Sequence, residues 1–195
     1  MPASPTASPS LELPADATLP ERHPNAPGVG ERIPPHSEVC FGCADVPHGL
    51  RLEFRVAEDA AGGVAVSARM VLRADQQGAP GLLHGGLLTA AFDEVLGSVV
   101  ALVTRPCVTA RLETDFRRPM PIGSTLWLRG RVDGRAGRKL YVSGSAHLDA
   151  EDGPVVGTAK ALFLKVGMEH FLRNSRPEDL EALGVSAEQI RAARS

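Results

Sequence analysis

Leu83-His84-Gly85-Gly86-Leu87-Leu88-Thr89-Ala90-Ala91-Phe92-Asp93-Glu94-Val95-Leu96-Gly97 runs on as apolar residues to about Val103, behind the turn Gly78-Ala79-Pro80-Gly81 and ahead of Arg105-Pro106. Its spacing predicts a helix. Apolar residues cover nearly the whole circumference, which predicts burial on most sides. Asp93 and Glu94 interrupt that run. A carboxylate inside an apolar helix is costly unless it is paired or hydrogen-bonded, which marks it as a functional-site candidate. One of the two acids lying on an exposed helix edge is the plainer alternative. Gly85 and Gly86 suit a helix start where backbone comes close to a ligand. The first amides of a helix lack internal partners and carry the positive end of the dipole, so they suit a carbonyl oxygen gaining charge. His84 and Asp93 stand nine positions apart, roughly 12–13 Å along a helix. One reacting centre cannot touch both ends. Either the ends serve different purposes, or two chains pair so that the turn of one faces the acid of the other. The second reading is preferred and predicts a homodimer, alone or as a dimer of dimers.

Around this helix the chain alternates. Leu50, Leu52, Phe54 and Val56 alternate with charged residues, Gly62-Gly63 turns the chain, and Val64–Leu72 makes a second strand. After the helix, Val108–Phe116 alternates and ends at Pro119 and Pro121. Leu126–Val132, a turn over Gly134–Gly137, Leu140–Leu148, the turn Glu151-Asp152-Gly153 and Val155–Val166 follow. Two strands, one long helix and four hairpin-linked strands predict an α+β domain over residues 39–166, an antiparallel sheet wrapped around one central helix. Residues 1–38 are rich in Pro, Ala and Ser and read as an extended tail or surface strap. Residues 167–195 read as a helical appendage, with capping signals at Ser175-Arg176-Pro177-Glu178 and Ser186-Ala187-Glu188-Gln189 and a stop at Gly184.

The totals exclude several classes. With 195 residues and 43% hydrophobic content the chain can bury a core. A net charge of −2 and 4% aromatics give no nucleic-acid or anionic-membrane signature. No secretory signal pattern opens the chain, and three cysteines fit a reducing cytoplasm. Neither a phosphate-binding glycine loop nor a nucleophile elbow is present. Cys40-Phe41-Gly42-Cys43, flanked by His36 and His48, is half of a zinc ligand set with the histidines poorly placed. The preferred reading is a turn packed on the core, with no metal.

His-Gly-Gly leading an apolar helix with Asp93 inside it, Gln77-Gly78-Ala79-Pro80-Gly81 upstream and Phe116-Arg117-Arg118-Pro119 downstream resemble the hotdog-fold acyl-CoA thioesterases. The resemblance is nearest to the phenylacetate-pathway-like branch with the Cys-Phe-Gly-Cys opening, and it covers about Val39 to Val166. It implies hydrolysis of acyl-CoA to free acid and CoA, with no cofactor beyond the CoA of the substrate. The Gly86 amide would hold the thioester oxygen, beside Gly85. Asp93 of the partner chain would activate water or attack directly. His84 would bind the thioester or fix the turn, and Thr109 would orient water near Asp93 or serve as a plain strand residue. Gln77 would touch the substrate carbonyl or only polarise the loop. Arg117 and Arg118 would lie near the nucleotide end, where guanidinium suits phosphate. A non-catalytic acyl-CoA-binding regulator on the same fold is the alternative, and a buried acid at Asp93 favours the enzyme.

Overall fold

The computed structural model describes residues 10–182 and 184–194. In chain order its strands are β1 (Arg32–Ile33), β2 (Glu53–Glu58), β3 (Val64–Val71), β4 (Gln77–Ala79) and β5 (Leu82–Leu83). The long helix α1 (Gly85–Ala101) follows, then β6 (Cys107–Phe116), β7 (Thr125–Ala136), β8 (Lys139–Leu148) and β9 (Val155–Lys165). Three short helices close the described chain: α2 (Met168–Asn174), α3 (Pro177–Ala182) and α4 (Ala187–Arg194). Seven strands form one antiparallel sheet in the order β1-β2-β3-β7-β8-β9-β6, while β4 and β5 pair separately just before α1. The expected α+β architecture, an antiparallel sheet with one long helix packed against it, is what the chain forms.

The helix sits on the sheet through one stripe. Leu88, Ala91, Phe92, Val95, Leu96, Val99 and Val100 are all buried, at the three-and-four spacing of a single helix face. Gly130 and Gly144 pair across β7 and β8 directly beneath it. A methyl on Gly130 would stand 3.0 Å from Val95, and one on Gly144 would stand 3.3 Å from Leu96 and 2.6 Å from the Arg129 carbonyl. Side-chain-free floor at both positions lets the helix descend onto the sheet. The expectation of burial on most sides needs correction. Gly86 is exposed, and Ala90, Asp93, Glu94, Gly97, Ser98 and Ala101 are only half-buried. A single sheet covers one face of a helix, and the apolar residues of the other face are small, so little hydrophobic area is left outside.

Residues 10–33 are a strap with a strand in it. Thr18 pairs with Arg135 through reciprocal backbone hydrogen bonds of 3.0 and 2.8 Å. The His23 amide donates to the Leu102 carbonyl at the end of α1, and β1 then joins the sheet edge beside β2. The predicted tail is therefore part of the sheet from Arg32 to Ile33, while its first nine residues lie outside the described ones. The turn predicted at Gly134–Gly137 is also shorter than expected: β7 continues through Gly134 by way of a bulge and turns only at Gly137 (φ 58°). A methyl on Gly134 would stand 2.7 Å from Leu13, so this glycine admits the strap. At the C-terminal end the Ser186–Gln189 capping box forms both of its bonds, and Gly184 adopts φ 83° after α3. Helix α2 was not foreseen; Ser195 is outside the described residues.

Candidate active site

Helix α1 begins where the sequence places it, and His84 caps it. His84 has an extended backbone, and its Nδ1 accepts a hydrogen bond from the Gly86 amide at 3.0 Å. The ring proton therefore sits on Nε2. The His84 amide donates to the Gln76 carbonyl, and the His84 backbone lies over Gly78, where a methyl would stand 2.8 Å from the His84 Cα. The turn Gly78–Gly81 and the helix start thus brace each other. Gln77 spends its side chain on this brace: its Nε2 donates to the Ala74 carbonyl and its Oε1 accepts from the Gly81 amide. The neighbouring Gln76 is the buried amide of the pair. Its Oε1 accepts from the Arg73 amide, and its Nε2 is buried without a hydrogen-bond partner among the described residues. Nothing in the sequence separates these two consecutive glutamines.

Asp93 lies half-buried in the middle of α1. Thr109 on β6 donates its Oγ1 hydrogen bond to Asp93 Oδ1 at 2.8 Å. Strand β6 thus fixes the carboxylate from the neighbouring sheet edge. Gly86 and Asp93 share one helix, seven positions and roughly 10 Å of rise apart. Within this chain they stand apart. At the Gly86 end, Phe116 lies against Gly85, its ring 3.2 Å from where a methyl would project, and it is 56% exposed. Arg117 and Arg118 follow it, both exposed, with Arg117 reaching the Asp115 carboxylate at 3.3 Å. The structure therefore brings Phe116, the residue before Arg117 and Arg118, against Gly85 beside His84 and Gly86, and joins Thr109 to Asp93. Neither the cleft of about 770 Å³ under residues 10–19 nor that of about 410 Å³ beside Trp127 is lined by these residues.

The Cys-Phe-Gly-Cys turn packs on the core, with Cys43 and Ala44 buried. It also does something the sequence concealed. His36, Cys40, Cys43 and Glu94 each offer one ligand atom, all within 4.8 Å of one another. Cys43 Sγ lies 3.3 Å from His36 Nδ1, and Glu94 Oε1 lies 3.5 Å from both His36 Nδ1 and Cys40 Sγ. Burial, with Glu94 nearby, pushes the Cys43 thiol up to about 12, so alone it is no thiolate nucleophile. The judgement that both histidines are poorly placed is corrected for His36. His48 turns away to Asp75, at 3.3 Å. The fourth candidate donor is Glu94, which no spacing rule ties to a loop some fifty residues earlier.

Set against known proteins, residues 80–153 match the family model described as Thioesterase superfamily. Acyl-coenzyme A thioesterase THEM4 of Bos taurus is 34% identical over 93 residues, 48% of this chain and 38% of that relative. The chain thus spans well under half the length of this curated relative. Among solved structures, a thioesterase superfamily protein is 29% identical with a TM-score of 0.53, over 60% of this chain and 55% of its own. The phenylacetic acid degradation-related protein of Ralstonia eutropha JMP134 is 28% identical with a TM-score of 0.52, over 62% of this chain and 92% of its own. From the turn before α1 to the hairpin after β8, this chain is therefore similar to the thioesterase superfamily, on a hotdog fold.

Proposed function

We propose that this domain hydrolyses the thioester of acyl-coenzyme A to a free acid and CoA, in a site built by two chains. The observation that carries this reading is the Thr109–Asp93 hydrogen bond. A half-buried carboxylate, oriented by a hydroxyl and open on one side, is placed to take a proton from water or to attack a carbonyl. A pure binder of acyl-CoA has no use for such an acid. The name of the curated relative, an acyl-coenzyme A thioesterase, supports the same substrate class.

The oxygen of the thioester goes to the start of α1. There the Gly86 N–H already has an acceptor, the neutral His84 ring. A ground-state carbonyl gains little by displacing it. A developing oxyanion is charged and bonds roughly twice as strongly. The exchange therefore favours the transition state over the substrate, which is what lowers a barrier. Once displaced, His84 keeps an Nε2 proton to donate toward the thioester. The thiolate of CoA departs without needing strong acid assistance. Arg117 and Arg118, exposed past Phe116, would meet the phosphates of the nucleotide end.

Three features support the paired chain. Gly86 and Asp93 are too far apart along α1 to serve one carbonyl. The outward face of α1 is small and half-buried, and β6 is a ten-residue edge strand bearing Thr109. An open edge of that length is a template for another strand. A homodimer joined there would set the turn of one protomer against Asp93 of its partner; pairing of such dimers is compatible with it. Three unpaired cysteines fit the reducing cytoplasm, and no helix among the described residues is long and apolar enough to cross a membrane.

The test is thiol release from a panel of acyl-CoA substrates. Wild-type protein should liberate CoA, and Asp93→Asn should bind acyl-CoA while releasing none. Wild-type protein that binds acyl-CoA and never releases thiol would establish the regulatory alternative. Gly86→Pro and Asp93→Ala, each inactive, should regain part of the activity when co-refolded; proven heterodimers without activity would refute the shared site.

A further inference from the structure

We infer that His36, Cys40, Cys43 and Glu94 form a structural zinc site that fastens the loop before β2 onto the middle of α1. The donor set decides the ion class. Two cysteine sulfurs with an imidazole and a carboxylate match the sulfur, nitrogen and oxygen ligands of Zn(II), whereas Mg(II) and Ca(II) prefer oxygen alone. The geometry supports it quantitatively. Zinc bonds of ~2.3 Å to sulfur and ~2.0–2.2 Å to nitrogen and oxygen imply tetrahedral edges of roughly 3.4–3.8 Å. Three of the six edges, Cys43–His36, Cys40–Glu94 and His36–Glu94, measure 3.3, 3.5 and 3.5 Å, and all four atoms lie within 4.8 Å of one another, so the ion draws the remaining edges in.

The second shell is present as well. The amides of Gly42 and Cys43 point at Cys40 Sγ, at 3.3 and 3.5 Å. Paired amides of this kind stabilise a thiolate and orient it. Gly42 also explains why the loop can come so close: a methyl there would stand 2.5 Å from the Glu94 carboxyl group. Any other residue would push the carboxylate out of the cluster. Glu94 is 18% exposed and Cys43 is buried, so the site is closed, while His36 is 58% exposed and forms its lid. With four protein ligands no coordination position is left open, which assigns a structural and not a hydrolytic ion. On binding, both thiols release their protons to solvent and two zinc–sulfur bonds form. Glu94 adjoins Asp93 in sequence, so the ion also absorbs the charge of the acid beside the proposed catalytic carboxylate.

The test uses the full-length chain, reduced with a phosphine and stripped of metal, and titrated with Co(II) alone. Wild type should develop a sulfur-to-cobalt charge-transfer band that saturates at a single ion per chain and vanishes on adding Zn(II). Zn(II) should also raise the Tm. Cys40→Ser leaves one sulfur ligand and should weaken both the band and the binding, and Cys40→Ser with Cys43→Ser should abolish the band. His36→Ala changes only an exposed loop side chain and should fold normally. It should weaken Co(II) binding by more than the roughly 10–100-fold that loss of an outer-shell partner costs. A folded, reduced wild type without the band, or equal affinity in wild type and His36→Ala, would overturn the assignment. Either result would leave the thioesterase reading untouched, since thiol release from acyl-CoA is measured separately.

Discussion

Thr109→Val removes one hydroxyl and keeps the shape of the side chain. In the structure that hydroxyl donates to Asp93 Oδ1 at 2.8 Å. A hydrogen bond to an ionised group contributes about 1.5–3 kcal/mol. Thr109 is exposed, so water competes for the same carboxylate and the lower end applies. About 1.5 kcal/mol corresponds to roughly a tenfold loss. The loss should fall on kcat, because the freed carboxylate still carries its charge but samples rotamers that miss the water or carbonyl. KM should change little, since Thr109 is not placed to grip the substrate. The assay is steady-state thiol release, with Thr109→Ser as the control that restores most of the activity. Acyl-CoA binding should stay at the wild-type level in Thr109→Val, because a residue acting only through Asp93 orients the acid and does not hold the substrate. Full activity in Thr109→Val, or a loss that falls on KM and leaves kcat unchanged, would show that the hydroxyl does not work through this acid.

His84→Ala removes the cap of α1 and should cost about 1 kcal/mol of stability by thermal or urea unfolding, with most of the protein still folded. Gly42→Ala forces a methyl to within 2.5 Å of the Glu94 carboxyl group; Co(II) uptake should fall with little change in far-UV circular dichroism. Gly157→Ala would bring a methyl to 2.9 Å from Leu88 and 3.1 Å from the Asp115 carbonyl, an overpacking that should cost about 1–3 kcal/mol in urea unfolding. Phe92→Ala empties the fully buried centre of the helix–sheet interface and should cost about 3–5 kcal/mol in the same measurement.

Much of the fold was legible because alternation in β2, β3 and β6 to β9 reports which residues face the helix, and hairpin turns leave only an antiparallel sheet. What the pattern could not report was the far side of α1. Leu88, Phe92 and Leu96 are buried by the sheet of their own protomer. Ala90, Gly97 and Ala101 are apolar but small, and apolarity alone does not say whether a surface meets a sheet or a second chain. Strand β1 was hidden for a different reason. Two residues have no periodicity; its place is fixed from outside, by bonds from the Gly30 amide to the Val56 carbonyl and from the Val56 amide to the Glu31 carbonyl. Gly134 misled in the same way: a glycine that makes room for the strap and a glycine that turns a chain are identical in sequence.

The two consecutive acids of α1 show where sequence reading of the site ends. Neighbours on a helix diverge by about 100°. That rotation sends Asp93 toward Thr109 on β6 and Glu94 toward Cys40 and His36 in the loop before β2. Both acids interrupt an apolar run, so both look equally costly from the sequence. The structure offsets each cost by a different means: one hydroxyl for Asp93, and a sulfur–imidazole cluster for Glu94. The arrangement has a chemical consequence. Two unshielded carboxylates one residue apart would repel each other and oppose a substrate bearing phosphates. Drawing Glu94 into the cluster with His36 leaves Asp93 as the acid that faces outward from the half-buried side of α1. A catalytic carboxylate has to stay charged and mobile enough to react, whereas a ligand has to stay put. If the two adjacent residues divide these tasks as proposed, the loop of residues 36–43 is tied to the same helix turn that carries Asp93, so disturbing the loop should lower activity even in variants whose Asp93 is intact.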